Sequence, residues 1–220
     1  MICKNKNIII LMPPKTASNS LKVLLEGSGF IFSNEPNLPH PQIHLKLSEL
    51  VDVYKIDNLN QYTIIQITRN PYERFVSSFF FQKKILPETY HPLFKDYDLL
   101  TFTNHLLESK NSSDFIESFY GDTSFVRNNI KQGINWGGSR LYDSQVSWND
   151  MNQNVTYFKL EDISKDLNPL RELLGLNSLY LPTINSQGLN IDYQSLLTQD
   201  IKNILSHLFH DDFKLLGYTK

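Results

Sequence analysis

One short loop, Pro13-Pro14-Lys15-Thr16-Ala17-Ser18-Asn19-Ser20, carries a lysine and three hydroxyl residues. A lysine gives a full positive charge, and the N-terminus of a following helix offers unpaired N–H groups and a partial positive charge. With the hydroxyls of Thr16, Ser18 and Ser20 as further donors, the loop has the makings of a cradle for phosphate or sulfate. The phosphate loop of nucleoside triphosphatases needs glycines, and its lysine follows them. Here no glycine is present and Lys15 precedes the hydroxyls, which argues against a triphosphatase. The same residues also suit a surface loop whose Ser18 merely caps a helix. A second candidate anion site is Arg69, followed eight positions later by Ser77. A guanidinium offers forked donors that match a phosphate, although Arg69 or Arg74 paired with Glu73 also reads as a structural ion pair. His44 can take a proton near neutral pH. His40, in the same loop, is the runner-up. Glu49 is a weaker base, because a carboxylate needs burial to raise its pKa.

The elements that must hold these residues are legible in the patterning. Ile8–Met12 is a continuous apolar run stopped by Pro13-Pro14, and it fits a central strand covered on both faces. A helix over 18–26 follows, with Leu21, Leu24 and Leu25 on one face and glycines beyond it. Residues 33–42 read as loop, and 45–54 as a short helix. Residues 62–68 form a second strand ended by Arg69. Asn70 and Pro71 then open a helix running to about Lys84, since Asn suits the cap and Pro the first turn. Helical patterns recur at 99–108 and 114–119, and 133–138 reads as a turn-rich loop. A third strand spans 155–160. Residues 161–174 look helical apart from Pro169, and a last helix spans about 198–209, with Phe213, Leu215 and Leu216 packed behind it. Strands alternating with helices predict an α/β domain with a parallel sheet. Ligands of such sheets bind at the carboxyl ends of the strands, where both anion loops fall.

The chain as a whole narrows the choice. Its 220 residues suit one domain over 1–220. A net charge of -2 provides no basic field for a nucleic acid, so any anion site is local. With Cys3 the single cysteine, no internal disulfide forms, and a reducing compartment is expected. Cys3 beside Lys4 reads as an unreactive thiol. No signal peptide or membrane span is visible. No cluster of His and Cys ligands stands out, so no metal is expected.

Together, these elements resemble the PAPS-dependent sulfotransferases (PAPS is 3′-phosphoadenosine-5′-phosphosulfate), especially the carbohydrate 2-O-sulfotransferases and their bacterial relatives. Pro14–Ser20 resembles the family's 5′-phosphosulfate loop, and Arg69–Ser78 its 3′-phosphate motif with the Arg-to-Ser interval intact. Ile43–Leu50 sits where the family places a catalytic histidine. Ser144-Gln145 looks like its pre-strand element, and Tyr157–Asp162 like its K-x-E-D segment. Leu181–Ser186 and Asp212–Tyr218 look like its usual ending. Asn19 stands where Thr or Ser is common, which keeps the hydrogen-bonding capacity.

The resemblance implies a three-layer, P-loop-like α/β fold with a central parallel sheet flanked by helices. It implies sulfuryl transfer from PAPS to an acceptor hydroxyl on a saccharide, with PAP (adenosine 3′,5′-bisphosphate) released. Lys15 then meets the bridging oxygen, and Thr16, Ala17, Ser18, Asn19 and Ser20 hold the 5′-phosphate. Arg69 and Ser77 hold the 3′-phosphate, and His44 is the base. Family members in eukaryotes carry a membrane anchor and often disulfides, so the short N-terminus and single cysteine imply a bacterial or viral cytoplasmic version.

The acceptor is less legible. Tyr90, Phe94, Tyr97, Trp136, Tyr142 and Trp148 suit sugar rings but suit a core better. Arg127, Lys131 and Arg140 suit an acidic saccharide or a solvated surface equally. Two rival classes are a P-loop-type nucleotide kinase, which needs magnesium ligands that no strand end supplies, and a PAP-binding module without chemistry.

Overall fold

A computed structural model describes residues 1–25, 28–31, 44–85, 97–108, 139–176 and 192–220. At 82, 84, 85, 139 and 140 it describes the backbone alone. The expected elements at 33–42, 114–119, 133–138 and 181–186 lie outside the described residues, as do His40, Tyr90, Phe94, Arg127, Lys131 and Trp136.

Contacts gather the chain into two compact units. The described residues of the first lie within Met1–Pro36, Gln42–Asn70 and Gln145–Gly188. Its centre is a four-stranded sheet of β1 (Ile2–Cys3), β2 (Ile8–Leu11), β3 (Thr63–Thr68) and β4 (Val155–Lys159), in that spatial order. β2, β3 and β4 run parallel, with Leu11 opposite Gln66 and Thr68 opposite Lys159, so their carboxyl ends share one edge. The expected parallel sheet is thus found in β2, β3 and β4, and β1 adds an antiparallel edge. This strand of two residues turns back through Asn7, whose φ is 53°, and pairs antiparallel with β2. So short a connection admits no parallel crossover.

Every residue of β2 is buried, as the unbroken apolar run requires. Alternation divides its side chains between the two faces. Ile8 and Ile10, with Ile65 and Ile67 of β3, face Leu21 and Leu25 of α1 (Ser18–Leu25). Ile9, Leu11 and Ile64 face Leu47 and Leu50 of α2 (Leu47–Tyr54), together with Trp148. The sheet of this unit is thus covered on both faces, the layered arrangement expected from the sequence.

Two expected helices change. The pattern at 161–174 becomes two helices, because Pro169 lacks an N–H and suits a first turn. Leu45 is buried but precedes α2.

The described residues of the second unit lie within Pro71–Ser144 and Leu189–Lys220. It begins with α3 (Pro71–Ile85) and α4 (Leu99–Glu108). The first unit resumes at a 3-10 turn over Gln145–Trp148, and after β4 come α5 (Leu160–Ile163) and α6 (Asn168–Leu174). The second unit closes with α7 (Tyr193–Leu196), α8 (Gln199–Leu208) and α9 (His210–Leu215). Its core joins Phe75, Val76 and Phe79 to Phe102, Tyr142, Leu205 and Phe213. Thr198 caps α8 by accepting from the Ile201 N–H. Phe213 and Leu216 pack as expected, but Leu215 is 61 % exposed. The segment is helical, and its 100° rotation per residue turns Leu215 outward. Tyr142 and Trp148 are core side chains.

Candidate active site

The first loop leaves β2 at its carboxyl end and enters α1 directly. Lys15 has φ of 69° and Ala17 has φ of 63°, with Thr16 of ordinary sign between them. Alternation of this kind turns successive N–H groups toward one concave side, as in anion-binding nests. The loop reaches this shape without glycine, at a cost of about 1 kcal/mol or more for each left-handed residue. Something must hold it there. Thr16 is fully buried, and its hydroxyl donates to the Pro13 carbonyl at 2.7 Å. Leu21 N–H donates to the Ala17 carbonyl at 3.0 Å and starts the helical ladder. Ser18 and Ser20 are buried, whereas Asn19 is exposed.

Arg69 follows the last residue of β3, beside this loop. Its Nη1 donates to the Lys15 carbonyl at 3.5 Å. The two cationic loops of the sequence therefore meet at adjacent strand tips. Burial pushes the Lys15 ammonium down to about 8 from 10.5, and the neighbouring Arg69 guanidinium pushes it the same way. A site that presses like charges together out of water favours a polyanionic ligand over none.

His44 stands at the same end of β2. Its Nδ1 lies 2.8 Å from the carbonyl of Met12, just past the strand. A carbonyl only accepts, so Nδ1 carries the proton and Nε2 is the basic nitrogen of the neutral ring. Glu49 serves α2 instead, where its Oε2 accepts from the Lys46 N–H at 2.7 Å and caps the helix.

Ser77 lies on α3 in the second unit and is buried. On the same helix Arg74 is 1 % exposed and donates to the Asp143 carbonyl at 2.8 Å, a structural role.

Sequence reasoning gave no role to two further residues. Gln145, from the 3-10 turn before β4, and Glu161, from the first turn after β4, both reach the Arg69–Asn70 turn. Gln145 Oε1 accepts from Arg69 N–H at 2.9 Å, and its Nε2 donates to Arg69 O at 2.8 Å. Glu161 Oε1 accepts from Asn70 N–H at 2.6 Å. One signal was available: Gln66 interrupts an apolar strand, and a buried amide needs a partner. Its Nε2 donates to the Gln145 carbonyl at 2.7 Å.

A lysine loop and an arginine thus stand at neighbouring tips of a largely parallel sheet in an α/β protein. The chain belongs to the sulfotransferase family, whose model matches residues 1–219. It is accordingly a transferase of sulfuryl groups acting on a hydroxyl acceptor. Among solved structures it is similar to a sulfotransferase from Alicyclobacillus acidocaldarius, at 12% identity and a TM-score of 0.43, over 97% of this chain and 96% of that one. It is also similar to mouse sulfotransferase SULT7A1, solved in complex with PAP, at 17% identity and a TM-score of 0.44, over 94% of this chain and 84% of that one. No curated protein matches the sequence. Among the described residues, no helix is long and apolar enough to cross a membrane.

Proposed function

We propose that the chain, working as one domain over 1–220, transfers the sulfuryl group of PAPS to a carbohydrate hydroxyl and releases PAP. The observation that carries this reading is the meeting of Arg69 with the Lys15 loop. Two anion cradles at one sheet edge suit a ligand with phosphate at both ends of a nucleoside. The 3′-phosphate separates such a donor from ATP, and Arg69 supplies its forked donors. Ser77 joins Arg69 on the strength of the motif interval alone. Backbone N–H groups from Thr16 to Ser20, including those of Ala17, Ser18 and Asn19, hold the 5′-phosphate. The Thr16 hydroxyl braces the loop instead.

PAPS supplies an activated sulfuryl group, and the protein's share of the work is positioning and charge stabilisation. Lys15 stabilises the negative charge that develops on the bridging oxygen as its bond to sulfur breaks. His44 Nε2 takes the acceptor's hydroxyl proton while the new sulfur–oxygen bond forms. The Met12 carbonyl fixes the ring's tautomer and then helps to hold the imidazolium. The carbohydrate acceptor is supported by the likeness of Ile43–Leu50 and the two anion motifs to the 2-O-sulfotransferase branch.

Transfer of labelled sulfate from PAPS across a panel of saccharides tests the proposal. Label on a saccharide, lost in His44→Ala while PAP still binds, is the expected result. PAP binding without transfer to any acceptor leaves only a binding module. Transfer confined to phenols or small alcohols removes the carbohydrate assignment.

A further inference from the structure

Two motifs of the sequence take no part in the chemistry above: the Gln145 element before β4 and the K-x-E-D segment after it. Both converge on one turn. The Arg69 peptide lies one residue beyond the end of β3, where the parallel ladder no longer pairs it. Gln145 completes that pairing with a side chain. A primary amide has the donor and acceptor of a peptide group, and Gln145 presents them to Arg69 N–H and C=O at 2.9 and 2.8 Å. The opposite amide orientation would set oxygen against oxygen, so the network fixes which atom is which. Gln145 is itself fully buried, and its carbonyl is held by Gln66 Nε2. Glu161 takes the next peptide, accepting from Asn70 N–H at 2.6 Å.

We infer that Gln145 and Glu161 are positioning residues that fix the direction in which Arg69 leaves β3, and thereby set the preference for a 3′-phosphorylated nucleotide. The inference rests on the reading of Arg69 as the 3′-phosphate ligand. Holding both polar atoms of the Arg69 peptide, and the N–H of the next, restrains the backbone dihedrals on either side of its Cα. The Cα–Cβ direction follows from them. A long side chain on an unrestrained turn loses rotamer and backbone entropy each time it binds. Here the backbone share is removed in advance. The segments flanking β4 thus support the site, Gln145 from the turn before the strand and Glu161 from the helix after it.

The readout is the ratio of affinities for PAP and adenosine 5′-monophosphate, which differ only in the 3′-phosphate. Each is measured by calorimetry on the full chain. Gln145→Leu and Glu161→Ala should each reduce that ratio by about tenfold, the scale of one or two lost hydrogen bonds. KM for PAPS should rise, with kcat changed by less than about threefold, because the reacting group is remote from the lost contact. Glu161→Gln, which keeps the acceptor oxygen, should restore most of the ratio lost in Glu161→Ala. Gln145→Glu keeps volume and one acceptor, and serves if the leucine variant does not fold.

A merely structural role moves both affinities alike, or only the melting temperature, and leaves the ratio intact. Arg69→Ala separates the failures. If it collapses the ratio while the Gln145 and Glu161 variants do not, the positioning role is overturned and Arg69 keeps its function. If Arg69→Ala also leaves the ratio intact, the assignment of Arg69 fails and the inference falls with it. Glu161→Gln as poor as Glu161→Ala overturns the hydrogen-bond account at that position.

Discussion

Lys15, proposed to meet the bridging oxygen, carries a cost in stability. Burial first, and Arg69 second, hold its pKa near 8 rather than 10.5. Between those values the unfolded chain binds the proton that the folded chain has lost. This contribution to stability therefore rises as pH climbs from about 8 to 10.5, and below 8 the buried charge is a standing penalty. The proposed chemistry needs that charge. We therefore expect kcat/KM for PAPS to fall about tenfold per pH unit above pH 8, in a pH–rate profile of the free enzyme. PAP should take up a proton on binding near that pH, seen as a calorimetric heat that depends on the buffer. Lys15→Met should lose at least about a hundredfold in turnover yet melt at a higher temperature in mild acid. A variant that kept its activity, or whose profile stayed flat past pH 9, removes Lys15 from the reaction. His44 is the complementary case, because its Nδ1 contact with Met12 settles which nitrogen can act as base. The type and spacing of both residues were legible along the chain. Their pKa and tautomer were not, since each depends on a neighbour remote in sequence.

At the scale of elements, the strand-to-helix loop is held in a left-handed shape that non-glycine residues resist. Positive φ at Lys15 and Ala17 was not readable, because nothing local in the sequence demands it. The demand comes from the buried Thr16 hydroxyl anchoring Pro13 and from the start of α1 at Ser18. Thr16→Val keeps the shape of the side chain and removes its hydroxyl. It should destabilise the fold by about 1–3 kcal/mol, the cost of an unpaired buried carbonyl, and weaken PAP binding because the loop loses its anchor. Chemical denaturation alongside calorimetry checks both effects. Unchanged PAP affinity in a destabilised variant would separate the brace from the cradle. The strands themselves were well marked: the apolar runs at 8–12, 62–68 and 155–160 became β2, β3 and β4 with ends shifted by a residue. The two-residue β1 was invisible, because so short a strand has no periodicity and exists through its pairing with β2 and its bridge to Ile31.

At the scale of the molecule, binding of a ligand to the native state alone raises apparent stability by mass action. PAP at about 100 times its Kd should add about 2.7 kcal/mol. For a chain of this length that amounts to a rise of roughly 5–11 °C in Tm. ATP with magnesium at the same concentration should give a much smaller rise, since it lacks the 3′-phosphate that Arg69 is assigned to meet. A thermal-shift measurement decides between them, and an equal response to both nucleotides favours a kinase-like site. The like charges of Lys15 and Arg69 give this expectation its physical basis, because a polyanion relieves a repulsion already present in the protein.

Family membership, the α/β class and the two cationic loops could be read from residue order, because each depends on local composition: an apolar run, a proline stop, a lysine or arginine at a strand's end. What awaited the folded chain was how distant segments meet. Gln145 and Glu161 lie 76 and 91 positions from the peptides they hold, and neither spacing leaves any periodic trace. Hydrogen bonds to a turn are short-ranged and directional, so they exist only where the folded chain has set the Gln145 turn and the end of β4 beside the tip of β3.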